Sequence, residues 1–299
     1  MRVFVTGATG HIGSAVVPEL LKAGHRVVGL SRSDQGAAAL AAQGAEVHRG
    51  DLDDLDGLRE AAAASDGVIH LAFKHNFDDF LGSVESDRQA VEAIGEALIG
   101  SGKPFVSTGG TLMVSFVEGR LATENDTLPS GPRIDAENAV IALADKGVRS
   151  SVVRLSPLVH SSLDHHGFTH HIIDSARRAG VSAYIGDGDN RWPAVHTLDA
   201  ARLYRLALES APAGTRLHGV ADEGVPFRDI ARLIGRKLDL PVTSIPAEQG
   251  PDHFGFLAMF ATLDNPTSSE LTQKVLDWHP EHVGLLADIE AGHYFENAR

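Results

Sequence analysis

The chain has 299 residues, 43% hydrophobic and 22% charged, with 26 Lys and Arg against 40 Asp and Glu, a formal net charge of −14. This composition supports a sizeable buried core in one large domain or two modest ones, and the acidic balance argues against a nucleic-acid backbone as partner. With no cysteine there are no disulfides, thiolate zinc sites or cysteine nucleophiles, and no apolar run reaches the roughly 18 residues of a membrane span.

Taken in chain order, the first half alternates strands and helices. Arg2 to Thr6 is a short β-branched apolar run, a strand, and His11 to Lys22 has apolar residues at Ile12, Val16, Leu20 and Leu21, a helical spacing closed by Gly24. Strands follow at Arg26 to Leu30, Ala45 to His48, Gly67 to Leu71, Pro104 to Ser107 and Ser151 to Leu155. Between them the spacing predicts helices over Gln35 to Gln43, Leu55 to Ala64, Asp78 to Ile99 and Ile134 to Lys146, with a Gly- and Thr-rich loop over 109–132. Six strands with interleaved helices predict an α/β fold with a doubly wound parallel sheet. After Leu155 the rhythm changes. Helices are expected at Phe168 to Ala179, Asp199 to Glu209, Phe227 to Leu238, Phe254 to Leu263, Ser269 to Leu276 and Val283 to Phe295, with strands at Ala183 to Ile185 and Leu217 to Val220. The expected organisation is a sheet domain over 1–155, to which 195–220 returns, and a smaller, mostly helical lobe from 156–194 and 221–299.

The sharpest motif is Val5-Thr6-Gly7-Ala8-Thr9-Gly10-His11-Ile12-Gly13, between the first strand and first helix. Gly7 permits a tight turn, Gly10 lets backbone approach a pyrophosphate, and Gly13 lets the helix pack on the strand. The helix N-terminus then offers free N–H groups to phosphate, with Thr9, His11 and Ile12 completing the cradle for a dinucleotide. At the end of the second strand, an acid would bind the ribose 2′-OH of NAD; here stand Ser31, Arg32 and Ser33, which suit the 2′-phosphate of NADP. NADP(H) is therefore the expected cofactor, ahead of NAD. Asp51 and Leu52 would flank the adenine. Leu71, Ala72 and Phe73 would face the ribose and nicotinamide.

These residues, with Gly50-Asp51-Leu52, His70-Leu71-Ala72, Val152 to Leu155 and Val195-His196-Thr197-Leu198-Asp199, resemble the extended short-chain dehydrogenases/reductases, the NAD-dependent epimerase/dehydratase group. The resemblance implies a Rossmann-type fold, cofactor contacts from Leu155 and Leu158 after the sixth strand, and a Tyr-x-x-x-Lys catalytic pair. That pair is absent: Tyr184, Tyr204 and Tyr294 are followed four residues on by Gly188, Leu208 and Ala298. The family spacing puts Pro129 in the tyrosine slot and Arg133 in the lysine slot, where arginine can bind a ribose or phosphate but is a poor base. Replacement proton donors are sought at Thr108 and Thr111 after the fifth strand, at His75 beside Lys74 after the fourth, and at Tyr184. His160 and His196 are weaker candidates. His166 and His170 are spaced for one helix face, but no carboxylate completes a zinc motif and no metal is expected.

Aromatic residues at Phe73, Phe77, Phe80, Phe116, Phe168, Trp192, Phe254, Phe256 and Phe260, with Met113 and Met259, lie in segments expected to overhang the nicotinamide. Only Arg177, Arg178 and Arg191 supply cations in the 156–195 insert, few for a second pyrophosphate. The expected activity is an NADP(H)-dependent oxidoreductase acting on a small apolar carbonyl or activated alkene. The alternatives are a non-catalytic NADP-binding redox sensor and a nucleotide-sugar epimerase or dehydratase. A cytoplasmic monomer or homodimer with a small-molecule substrate completes the expectation.

Overall fold

The computed structural model describes residues 1–76 and 79–296. The alternating half folds as β1 (Arg2–Thr6), α1 (Gly13–Lys22), β2 (Arg26–Ser31), α2 (Asp34–Ala42), β3 (Glu46–Arg49), α3 (Leu55–Ala63), β4 (Gly67–His70), α4 (Phe80–Leu98), β5 (Pro104–Gly110), α5 (Ile134–Ala142) and β6 (Arg149–Leu155). Beyond β6 come β7 (Leu158–His160), α6 (Phe168–Ala179), β8 (Ser182–Ile185), β9 (Arg191–His196), α7 (Thr197–Ser210) and β10 (Thr215–Gly219). The chain continues with β11 (Asp222–Pro226), α8 (Phe227–Leu238), β12 (Val242–Ile245), α9 (Gly250–Phe254), α10 (Glu270–Leu276) and α11 (Leu285–Ala291).

Seven strands form one parallel sheet in the order β10-β6-β5-β4-β1-β2-β3. Both faces are covered, which is why strands such as Val3-Phe4-Val5 are apolar without alternation. One face packs α1 and α7 through Val16, Leu20, Leu203, Tyr204 and Leu208. The other packs α3, α4 and α5 through Leu58, Val91, Ile94 and Val140. Chain order reverses between β1 and β4, so the crevice outside their carboxyl ends is where such a sheet accepts ligands.

The lobe has its own apolar core, in which Ile172, Trp192, Phe227, Ile230, Phe254 and Leu285 meet. It contains helices and two small sheets: β11-β9-β7, and the parallel pair β12-β8. In the lobe, the helix expected over Phe254 to Leu263 does not form as an α-helix, and the one expected over Val283 to Phe295 is shorter. Gly255, at φ 59°, ends α9 after Phe254 and the chain continues as a 3₁₀ turn over Gly255–Met259. Gly292, at φ 101°, stops α11 in the same way. Asp78, where the fourth helix was expected to begin, and Phe77 lie outside the described residues.

Candidate active site

Three glycines make the turn after β1, each for its own reason. Gly7 has a left-handed φ of 65°, and a Cβ added there would sit 2.7 Å from the backbone nitrogen of Ala72. A Cβ on Gly13 would stand 2.1 Å from the Gly7 carbonyl oxygen. Gly10 is exposed, and its added Cβ would meet only that same oxygen, at 3.3 Å. Gly7 and Gly13 are thus needed by the fold, whereas Gly10 leaves open space beside the backbone. Ser33, Asp54 and Asp79 cap α2, α3 and α4 by accepting from the N–H groups of Gly36, Gly57 and Gly82. No side chain caps α1, and its first turn has no acid. The N–H groups of Ser14 and Ala15 donate to the carbonyls of Gly10 and Ile12, and the amides before them in the turn can meet an anion, so turn and helix together fit a dinucleotide pyrophosphate. Thr9 is exposed at the turn, and Ile12 packs down against the core. His11 instead joins the turn to the lobe: Nε2 lies 2.9 Å from the Thr197 hydroxyl and Nδ1 3.6 Å from an Asp164 oxygen.

The loop after β2 is braced from β3. Arg49, paired in register with Ser31, donates to the carbonyls of Arg32 and Ser33 and to Asp34 Oδ1 at 2.9 Å. Ser31 is buried and donates to the Ser33 carbonyl at 3.0 Å. Arg32 itself is exposed, and its guanidinium has no hydrogen-bond or ion-pair partner among the described residues. The nearby acid is occupied by Arg49, so the loop presents an unopposed cation. Asp51 is exposed and accepts from the Asp53 N–H, while Leu52 is buried with Leu30 and Leu58. Lys74 is engaged by Asp53, 2.6 Å from both oxygens, and that contact holds the Asp53 carboxyl below its usual range.

At the ends of β4 and β5 the site is built from side chains. Thr6 Oγ1 accepts from the N–H groups of Leu71 and Ala72, at 3.2 and 3.3 Å, and lies 2.8 Å from His70 Nδ1. The network assigns the Thr6 proton to Nδ1, so His70 Nε2–H donates to Asp87 Oδ1 at 3.1 Å. The other Asp87 oxygen lies 3.8 Å from Arg133 Nη2, which donates to the Thr108 carbonyl at 2.9 Å. The Arg133 guanidinium lies 4.0 Å from the Phe73 ring centroid. Its Nε is buried without a partner, and no acceptor meets Nη1 among the described residues. Arg133 is also left-handed, at φ 63°. A strained backbone and an orphaned buried donor each cost about 1–3 kcal/mol, while a cation over an aromatic ring returns about 0.5–2 kcal/mol.

His75 stands edge-on to Phe73, with ring centroids 5.4 Å apart. Although its ring is exposed, the surrounding protein and the Arg133 cation hold its pKa below the usual histidine value, and His171 of α6 adds to that effect. His171 lies 5.0 Å edge-on from Phe256, and Phe168 stacks on Phe260 at 6.1 Å. The lobe therefore presents aromatic rings and an imidazole on the side where His75 feels His171.

Two of the remaining candidates are otherwise engaged. Thr108 Oγ1 donates to the His70 carbonyl at 2.7 Å and receives the Tyr204 hydroxyl at 2.7 Å, which leaves it no proton for a substrate. Tyr204 is fully enclosed, and burial pushes its pKa up. Thr111 is fully buried and donates to Asn265 Oδ1 at 2.9 Å, while Asn265 donates back to the Thr111 carbonyl. Tyr184 packs against the lobe core beside Gly188 and Arg228. The hydroxyls of Thr108 and Thr111 are thus committed to other partners, which leaves His75 and Tyr184 among the four proposed proton donors. Leu155 ends β6 opposite Gly110 and Gly219, and Leu158 sits in the lobe core. His160 is buried against Asp288 at 2.9 Å, and His196 caps α7. His170 Nε2 lies 2.7 Å from the Asp164 carbonyl. Among the described residues no group of three or more His, Asp or Glu could hold a metal ion.

Asp87 and Arg49 are the important residues not singled out from the sequence. Asp87 lies within the apolar stripe of α4, beside Ala90, Val91 and Ile94, where a carboxylate needs a buried partner. Arg49 ends a strand parallel to β2, so the Arg32 loop was within its reach.

The sequence model of the NAD dependent epimerase/dehydratase family matches residues 3–218. The chain is 48% identical over 297 residues to uncharacterized protein C2A9.02 of Schizosaccharomyces pombe, covering 99% of this chain and 100% of that one. It is 47% identical over 298 residues to uncharacterized protein YLL056C of Saccharomyces cerevisiae, covering 98% and 99%. Among solved structures, a double mutant of the dTDP-glucose 4,6-dehydratase DesIV from Streptomyces venezuelae, with NAD and DAU bound, superposes with a TM-score of 0.80 at 18% identity, covering 100% of this chain and 98% of that one. The chain thus belongs to the NAD-dependent epimerase/dehydratase family as an NAD(P)-dependent enzyme of the short-chain dehydrogenase/reductase type.

Proposed function

We propose that this enzyme is an NADP(H)-dependent reductase of a small apolar carbonyl or activated alkene. The observation that supports it best is the group Phe73, Arg133 and His75 at the carboxyl ends of β4 and β5, with the aromatic residues of α6 and the 255–259 turn in the lobe. Gly7, Thr9, Gly10, His11, Ile12 and Gly13 would hold the pyrophosphate at the uncapped end of α1. Arg32, on the loop fixed by Ser31, Ser33 and Arg49, would meet the 2′-phosphate of NADP. Asp51 and Leu52 would border the adenine, and Leu71, Ala72 and Phe73 the ribose and nicotinamide, with Leu155 and Leu158 as apolar backing. When bound, the reduced nicotinamide would supply a hydride to the substrate carbon and become oxidised. In a carbonyl reduction the substrate oxygen then takes a proton, which water would supply, or His75 once protonated on approach of the substrate's developing negative charge.

The insert's cations do not favour a nucleotide sugar. Arg191 binds Asp264 through Nε and Nη2, at 3.1 and 2.8 Å, Arg177 pairs with Asp174, and Arg178 donates to Ser175. A second pyrophosphate would have to compete for them. The test is NADPH oxidation across a panel of apolar ketones and enones, with His75→Ala compared at fixed NADPH. We expect turnover of some panel members and a loss of about 10²–10⁴ in rate in the variant. NADPH binding without any turnover would replace this reading with the sensor, and turnover confined to nucleotide sugars would replace it with the epimerase or dehydratase.

A further inference from the structure

We propose that the substrate bears an acidic oxygen, a carboxylate or an enolate, on its apolar body, and that Arg133 binds it. The inference rests on the reductase reading only in placing the reacting group near Phe73; the match between ligand charge and Arg133 stands on the geometry of the side chains.

Arg133 is an incompletely used guanidinium. It hydrogen-bonds one neutral carbonyl, that of Thr108, and stands 3.8 Å from Asp87, whose other oxygen is taken by His70. Nε and Nη1 have no acceptor among the described residues. Lys74, which follows β4 beside His75, is neutralised by Asp53. The described side chains around Arg133 include the ring of Phe73, the carboxylate of Asp87 and the imidazole of His75, which is held towards its neutral form. Among the described residues the Arg133 cation is balanced only by Asp87, 3.8 Å from Nη2, in a chain whose net charge is −14. A wholly apolar ketone would leave unused donors against hydrocarbon, an unfavourable arrangement for a partly buried cation. A planar carboxylate accepts two parallel N–H bonds from such a group. The left-handed backbone after Gly131-Pro132 fixes where the guanidinium emerges, so it cannot simply swing out to solvent without giving up Thr108 and Phe73.

The experiment uses a matched pair, a medium-chain oxo acid and its methyl ester, with wild type, Arg133→Lys and Arg133→Asn. Asparagine tolerates the left-handed conformation and removes the charge. NADPH oxidation gives the acid-to-ester ratio of kcat/KM, and calorimetry gives binding of each compound in the presence of NADP⁺. We expect the wild type to favour the acid by about 10- to 100-fold, the preference to fall in Arg133→Lys and to vanish in Arg133→Asn. Equal use of acid and ester by the wild type overturns the proposal, as does failure of the acid to bind. A variant that binds NADPH more weakly yet keeps the wild-type ratio assigns Arg133 to the cofactor instead, and also overturns it. Binding of the acid without any turnover would sink the reductase reading and leave this inference standing. Should Arg133→Asn fail to fold, the wild-type and Arg133→Lys ratios still decide.

Discussion

The two ends of the crevice are constructed from different materials. At the β1 turn the binding surface is backbone: the amides leading into α1, left uncapped, and the bare flank of Gly10. At the ends of β4 and β5 it is side chains: Phe73 beneath Arg133, His75 at its edge, and Asp87 reached through His70. Backbone surfaces are fixed by the helix and strand that generate them, so they tolerate no added atoms and need no tuning. Side-chain surfaces depend on charge and on neighbours, so they can be adjusted in steps. The first end should therefore respond to substitution in an all-or-none way, and the second gradually.

The sharpest way to break this contrast is at the glycines. Gly10→Val should fold and lose NADPH binding altogether, because its side chain would occupy the open flank of the turn where the pyrophosphate would lie. Gly13→Val should instead fail to fold stably, since its Cβ would overlap the Gly7 carbonyl. Circular dichroism with an NADPH titration separates the two. A folded Gly10→Val with wild-type affinity would remove the pyrophosphate from this turn.

A smaller effect is expected at Arg32, a side-chain contact attached to the backbone end. Arg32→Ala should cost about 1.5–3 kcal/mol of NADPH affinity and leave NADH binding nearly unchanged. Paired titrations of both cofactors measure it. Equal losses for NADPH and NADH would show that Arg32 does not read the phosphate. Because Arg49 braces this loop and neutralises Asp34, Arg49→Ala should weaken the same preference less directly.

Much of the backbone end was legible in the sequence for the same reason that it is all-or-none. A glycine turn between an apolar run and a helical spacing has few physical readings, and the strand rhythm to Leu155 follows from burial on both faces. The side-chain end was only partly legible. Arg133 could be placed by spacing, but its contact with Phe73 and its left-handed φ depend on where the 111–133 loop crosses the sheet edge. Thr108 and Thr111 stand where hydroxyls were expected, yet their partners, Tyr204 and Asn265, come from 96 and 154 residues away. The short strands β7, β9, β11 and β12 are three to six residues long, too short for alternation to distinguish them from loop.

The gentlest test lies between the ends, where the lobe is joined to the sheet. His196 caps α7 by accepting the Leu198 N–H through Nδ1, at 3.2 Å. It stacks on His282 at 4.5 Å and meets His160 edge-on at 5.5 Å, with Asp199 and Asp288 close enough to act on it. Protonating Nδ1 would remove the acceptor and place a cation at the positive end of the helix. Burial and the two neighbouring histidines accordingly lower its pKa to about 4, against 6.5 in an unstructured chain. The sign follows from linkage: the unfolded state takes up the proton first, so stability is complete above pH 6.5 and declines as pH falls towards 4. The loss attributable to His196 should reach about 1–2 kcal/mol by pH 5. Asparagine at this position can keep the cap and does not titrate. Urea denaturation of wild type and His196→Asn at pH 7.5 and 5 isolates the contribution, because the depressed carboxyl of Asp288 and the histidine His11 titrate in both proteins. The variant should lose less stability on acidification than the wild type. Equal losses in the two would mean that His196 takes up its proton without disturbing the junction.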